Sequence, residues 1–169
     1  MANCVLITTR TAQENNNAFR RVVKSETNVN NGAPLTLTFP TTAGSAVFTG
    51  ETPASPFSNV WLAYSPEVNK LVVGEVWGGE DPRNFTNVAG KPYDAFYPNP
   101  KTDIIQVTKE FFATGKDPDT VAGATVVELT ANGFEAKVTG TGSAYTGILF
   151  KIGRKEPMII ANGAVVGLS

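Results

Sequence analysis

Apolar residues in this chain come in short runs, and glycine, proline or an Asn-Gly pair interrupts them about every 8–12 residues. Inside the runs the period is two, which points to half-buried strands and restricts the chain to an all-β fold. After the turn at Asn31-Gly32, Leu35, Leu37 and Phe39 alternate with Thr36 and Thr38 until Pro40 ends the run. Further strands are expected at Ala46–Phe48, Val60–Tyr64, Leu71–Trp77, Asp103–Val107 and Gly147–Ile152, with Val5–Thr8 a short strand or extended arm. Two Asn-Gly pairs predict hairpins, because that pair accepts positive φ at both turn positions. One joins Thr125–Thr130 to Phe134–Thr139 through Asn132-Gly133; the other folds Pro157–Leu168 about Asn162-Gly163. The expectation is an antiparallel sandwich or barrel of about nine or ten strands, and the lack of an internal repeat argues against a propeller or solenoid.

Two segments depart from this rhythm. Residues 1–30 read as an N-terminal arm or short helix preceding a single β-domain at 31–169. Thr11 to Glu14 has the spacing of a capping box, and Ala18, Phe19, Val22 and Val23 share one helical face, so a helix over Ala12–Lys24 is one reading. Asn15, Asn16 and Asn17 are poor helix formers, and the alternative is an extended arm reaching a neighbouring subunit. On the arm reading, removing Met1–Lys24 weakens assembly and leaves the β-domain folded. The second segment, Gly78–Pro100, reads as a very long loop with no strand of its own. Connections in compact domains usually run to about 4–6 residues, so a long one is functional or disordered. Its aromatic content and four prolines favour an ordered, shaped loop.

Charge and residue usage narrow the function. Fourteen basic and 15 acidic residues give a net charge of −1 and are mixed along the chain, which leaves no footprint for nucleic acid or an anionic membrane. Histidine is absent, removing the commonest general base and metal ligand. Cys4 is alone and without a histidine partner, so neither an internal disulfide nor a cysteine nucleophile is expected. The start MANCVLITTR has no basic n-region and only a short apolar run, which suggests a protein made and folded in a cytoplasm. On that reading the Asn84-Phe85-Thr86 sequon is chance. Glu80-Asp81 and Asp117-Pro118-Asp119 are the nearest approach to paired carboxylates, yet both adjoin prolines in turns, where acidic residues belong anyway. Gly140–Ser143 and Gly74–Gly79 lack the endings that bind phosphates or dinucleotides. No catalytic residue, cofactor or metal is expected.

The aromatic residues carry the remaining signal. Trp77, Phe85, Tyr93, Phe96 and Tyr97, with Arg83 and Asn84, have the composition of a protein interface. They would equally serve as a plug for the end of a barrel or as a stacking platform for sugars. The polar start TTRTAQENNN, the Thr-alternating strand PLTLTF and the loop DPRNFTNVAGKPYDAFYPNP give the whole chain a character that resembles small β-rich structural proteins of tailed bacteriophages, namely capsid decoration proteins and head fibres. The resemblance implies a non-enzymatic virion protein on the outer surface of the head, assembled as a homo-oligomer, with a trimer favoured, on a capsid or other virion protein. The alternative is a lectin-like module binding a glycan through the same aromatic residues with Asn87, Asp94 and Asn99. A hydrolase built on distant carboxylates such as Glu75 and Asp103 ranks third.

Overall fold

The computed structural model describes residues 6–10, 20–54, 59–65, 85–98, 103–130, 133–138, 149–154 and 159–164. These form strands β1 Leu6–Arg10, β2 Arg20–Lys24, β3 Val29–Asn30, β4 Pro34–Thr38, β5 Phe48–Glu51, β6 Trp61–Ala63 and β7 Thr86–Asn87. They continue with β8 Tyr93–Phe96, β9 Ile104–Val107, β10 Val126–Thr130, β11 Gly133–Lys137, β12 Leu149–Arg154 and β13 Ile159–Ala164. A single 3-10 turn at Lys109–Phe111 is the only helical element among the described residues. The all-β class read from the sequence holds.

The strands divide into a closed barrel in the order β2-β5-β4-β6-β8, a six-stranded sheet in the order β1-β9-β13-β12-β10-β11, and the small pair β3-β7. Among the described barrel strands every pairing is antiparallel except β2 with β5. Five strands enclose little space, and the inner wall is accordingly built from Val23, Leu35, Ala63, Tyr93 and Ala95. Gly50 faces the same interior; a Cβ there would stand 2.6 Å from Val23 Cγ1. Leu62 and Phe96, both fully buried, alternate with the inner residues of β6 and β8 and point outward instead. There they join Ile105, Val107, Phe111, Val127 and Phe134 of the sheet region in one core. Because this wall is covered on both sides, β6 reads as continuous apolar sequence without alternation. At the sheet's β11 edge, the Ala113 amide donates to the Phe134 carbonyl at 2.9 Å and the Ala136 amide to that of Lys116 at 2.7 Å, covering an edge that would otherwise template pairing.

Four expectations are corrected. Arg20–Lys24 is a strand, not the end of a helix: β2 is bonded to β8 on one side and β5 on the other, and those backbone bonds prevail over a weak helical pattern. Ala12–Phe19 lies outside the described residues. The Gly78–Pro100 stretch is not free of strands, since Thr86–Asn87 pairs with β3 and Tyr93–Phe96 closes the barrel. Pro92 and Pro98 bound the latter strand, where prolines are tolerated. Asn162-Gly163 makes no turn; Asn162 pairs with Lys151 and Ile104 in the middle of the sheet, and ladders on both edges hold it extended. In the β10-β11 hairpin Gly133 is already a strand residue, paired with Thr130. The strand expected at Leu71–Trp77 lies outside the described residues.

Candidate interaction surface

The direction of the barrel strands defines two ends. Parallel β2 and β5 begin at one end, where antiparallel β4 and β8 finish. Alternation carries Arg21 on the same side as Val23, Phe48 with Gly50 and Trp61 with Ala63, so all three point along the lumen toward that mouth. Leu37, Phe48 and Trp61 are half-buried there against the barrel interior. The Arg21 guanidinium lies 5.5 Å from the Trp61 ring centroid and 5.8 Å from that of Phe48, within cation–π range of both. Phe39 stacks on Phe48 at 5.2 Å and Tyr97 meets Trp61 edge-on at 5.6 Å. The result is one continuous row, Phe39, Phe48, Arg21, Trp61 and Tyr97, across the mouth. Phe39 was expected on the buried face of its strand, but it lies one residue past the end of β4 and is 78% exposed. Arg20, on the outer side, pairs with Asp94.

At the opposite end, where β2 and β5 finish, the lumen opens into a cleft of about 330 Å³. Val29, Leu35 and Gly50 form its floor, while Glu26 and Glu51 stand exposed on its rim among threonines. Just inside, the hydroxyls of Ser25 and Tyr93 share a hydrogen bond of 2.6 Å, and Ser25 Oγ donates to the Gly50 carbonyl at 2.7 Å. Burial pushes the Tyr93 hydroxyl above its ordinary 10.0, with the Ser25 hydrogen bond opposing the shift.

The described residues among those singled out in the sequence are dispersed. Tyr93 lines the lumen and Phe96 is fully buried between barrel and sheet; neither offers surface to a partner as the chain stands. Phe85 is half-buried just before β7, and Tyr97, alone among the described members of the group, joins the row at the mouth. Trp77, Arg83 and Asn84 lie outside the described residues. Of the polar residues considered for a sugar, Asn87 is buried and donates to the Val29 carbonyl and to Asn31 Oδ1, Asp94 holds Arg20, and Asn99 is not described. The Asp117 carboxylate accepts from the Asp119 and Thr120 amides and the Thr120 hydroxyl, as a turn-forming aspartate does. Among the described residues there is no group of three or more side chains able to hold a metal, and no helix is long and apolar enough to cross a membrane. No protein-family model, curated protein or solved structure matches the chain.

Sequence reasoning missed Arg21, Phe39, Phe48 and Trp61 as a group. Period-two continuation from Leu37 would have placed Phe39, but nothing local brings Arg21 to Trp61; only closure of the barrel does.

Proposed function

We propose that this protein is a non-enzymatic structural component of a phage virion, a decoration or head-fibre protein that oligomerises on the outer surface of the head. What supports the reading is the row at the barrel mouth: aromatic rings and an arginine, the residue types on which interface energy concentrates, presented on a rigid strand framework. Such a protein works by burying surface. A standard interface covers about 1,200–2,000 Å², and repetition over a symmetric shell multiplies weak contacts into stable attachment. Arg21, Phe48 and Trp61 lie on strands, which hold their side chains in place better than a loop does, so little entropy is lost there when a partner docks.

The test is to look for the chain in purified particles of its source virus and to weigh the isolated protein by sedimentation. The expected outcome is an oligomer that co-purifies with heads and rebinds to heads stripped of it. A chain that is monomeric at high concentration and absent from particles contradicts the reading. The solvent-facing ring of Phe39 also suits stacking on a sugar, and a glycan array tests that alternative directly: reproducible binding lost in Phe39→Ala would favour a lectin-like module.

A further inference from the structure

We infer that Asn31-Gly32 is a deamidation site silenced by the fold, and that its reaction is a one-way latch: a chain that opens between β3 and β6 is chemically marked and barred from closing again. The latch operates whether or not the chain is a virion component. Asn-Gly is the pair at which an asparagine amide is lost most readily, because glycine has no Cβ to hinder the backbone nitrogen that attacks. In that step the Gly32 nitrogen gives up its proton and bonds to Asn31 Cγ, the Cγ–Nδ2 bond breaks, and Nδ2 leaves with a proton as ammonia. Water then opens the cyclic imide on either side and leaves aspartate or isoaspartate. No oxidant or cofactor takes part.

Each reacting group is committed in the folded chain. Asn31 and Gly32 are the middle residues of a turn closed by the Ala33 amide on the Asn30 carbonyl at 3.1 Å. The Gly32 amide donates to the Ala63 carbonyl at 2.7 Å, so the proton of the attacking nitrogen is held by the fold. Asn31 Nδ2 donates to the Ser65 carbonyl at 3.0 Å, while Oδ1 accepts from the Ser65 amide at 3.0 Å and from Asn87 Nδ2 at 3.1 Å. These bonds fix the plane of the amide, and Asn31 is only 2% exposed, which keeps out the water and base that the reaction needs. The Phe111 ring lies over Gly32 from the sheet side. Reaction therefore waits on opening, and the pair beside the turn, β3-β7, is the smallest sheet among the described residues, Val29 on Asn87 and Asn30 on Thr86.

Once reacted, the site no longer fits its surroundings. Aspartate loses the Nδ2 donor and sets a carboxylate oxygen against the Ser65 carbonyl in a place nearly closed to water. Isoaspartate adds a carbon to the main chain between β3 and β4, where Gly32 is bonded to Ala63 and packed under Phe111. Asn162-Gly163 offers a comparison within the same chain: ladders on both sides of β13 hold it extended, so it reacts only when the sheet opens.

Peptide mapping by mass spectrometry follows both sites in the full chain at mildly alkaline pH, folded and in urea. Asn31 is expected to react roughly a hundredfold more slowly in the folded chain than in urea; equal rates overturn the silencing. Thr86→Val removes the bond from the half-buried Thr86 hydroxyl to Asn30 Oδ1. It should raise the folded-state rate at Asn31 about threefold and leave Asn162 unchanged. A rise shared equally by both sites, or none at Asn31, assigns the opening to global unfolding and overturns the local latch. Closure is tested by letting the chain age in urea, removing the urea and isolating the chains that regain the native mass. Chains modified at Asn31 should be depleted roughly tenfold from that fraction, and an even distribution means that the site closes after reaction, which refutes the latch. Asn31→Asp, made directly, should melt well below the native chain at neutral pH; an unchanged melt refutes the latch equally.

Discussion

Two residues, Gly32 and Tyr93, are fixed by their surroundings tightly enough to predict. Gly32 has φ +81° and lies against the Phe111 ring, so a Cβ there would overlap the ring edge at Cε2 and stand 2.7 Å from Cδ2. Positive φ and a steric clash act together in Gly32→Ala, which should cost about 2–4 kcal/mol in chemical denaturation; a loss under about 1 kcal/mol would mean that Phe111 can move aside. Tyr93 makes a different prediction. Its folded-state pKa is raised by burial, so below about pH 10 the hydroxyl is protonated in both folded and unfolded chains and its contribution is complete. As pH climbs past 10, the unfolded tyrosine ionises while the folded one resists, and stability falls until the folded value is passed. Ionisation in the fold would also require Ser25 to turn its proton from the Gly50 carbonyl toward the phenolate. Tyr93→Phe should therefore lose about 1 kcal/mol at neutral pH and show a shallower alkaline decline in melting temperature; an unchanged alkaline slope would assign that decline to other groups.

Among the elements, β2 is the one whose role the structure changes most. It was expected as a helix or arm that could be cut away without unfolding the rest. As a stave of the barrel it is hydrogen-bonded to β5 and β8 and contributes Val23 to the interior, so removing residues 1–24 opens the barrel and exposes the edges of both neighbours. The truncated chain is expected to show no cooperative thermal transition; a sharp one would mean that β5 and β8 close without β2. The contrast with β4 shows where sequence is informative. Leu35 and Leu37 alternate with threonines because one face of β4 lines the lumen and the other meets solvent, and the period is legible at once. Residues 20–24 carry Val22 and Val23 at positions that suit a helix and a strand equally, and the partners that decide are 25 residues away in β5 and 70 to 76 away in β8. Asn162-Gly163 misled for the same reason, since its turn preference is local and small while the ladders on both sides of β13 are not local. Tyr93–Phe96 was hidden by its flanking prolines, which mark the strand's ends as readily as they mark a loop. Its alternation of Tyr93 and Ala95 with Asp94 was present all along.

For the whole molecule, the question is whether barrel and sheet unfold as one. Phe96, Leu62 and Val60 belong to the barrel region, yet they pack in the same cluster as Ile105, Val127 and Phe134 beneath the sheet, and Tyr64 meets Phe96 edge-on. A shared core of this kind makes the loss of either layer expensive for the other, because separating them exposes apolar surface on both. The Phe111 ring reinforces the joint from the sheet side, lying 3.8 Å from that of Phe134 while covering Gly32 in the barrel region. Phe96→Ala should therefore do more than leave a hole in the barrel wall. Truncating a fully buried phenylalanine typically costs about 3–5 kcal/mol, and here the cavity opens at the seam. Fluorescence of Trp61, read on a Trp77→Phe background, reports the barrel mouth, and amide exchange in β10 and β11 reports the sheet. Both should lose protection by the same free energy in Phe96→Ala, and in the native chain both probes should give coincident unfolding curves. If the sheet amides keep their protection while Trp61 loses its environment, the two layers are separate cooperative units and the common core is energetically weak. Coincident loss would mean that barrel and sheet, joined through Phe96, Leu62 and Val60, form a single cooperative folding unit.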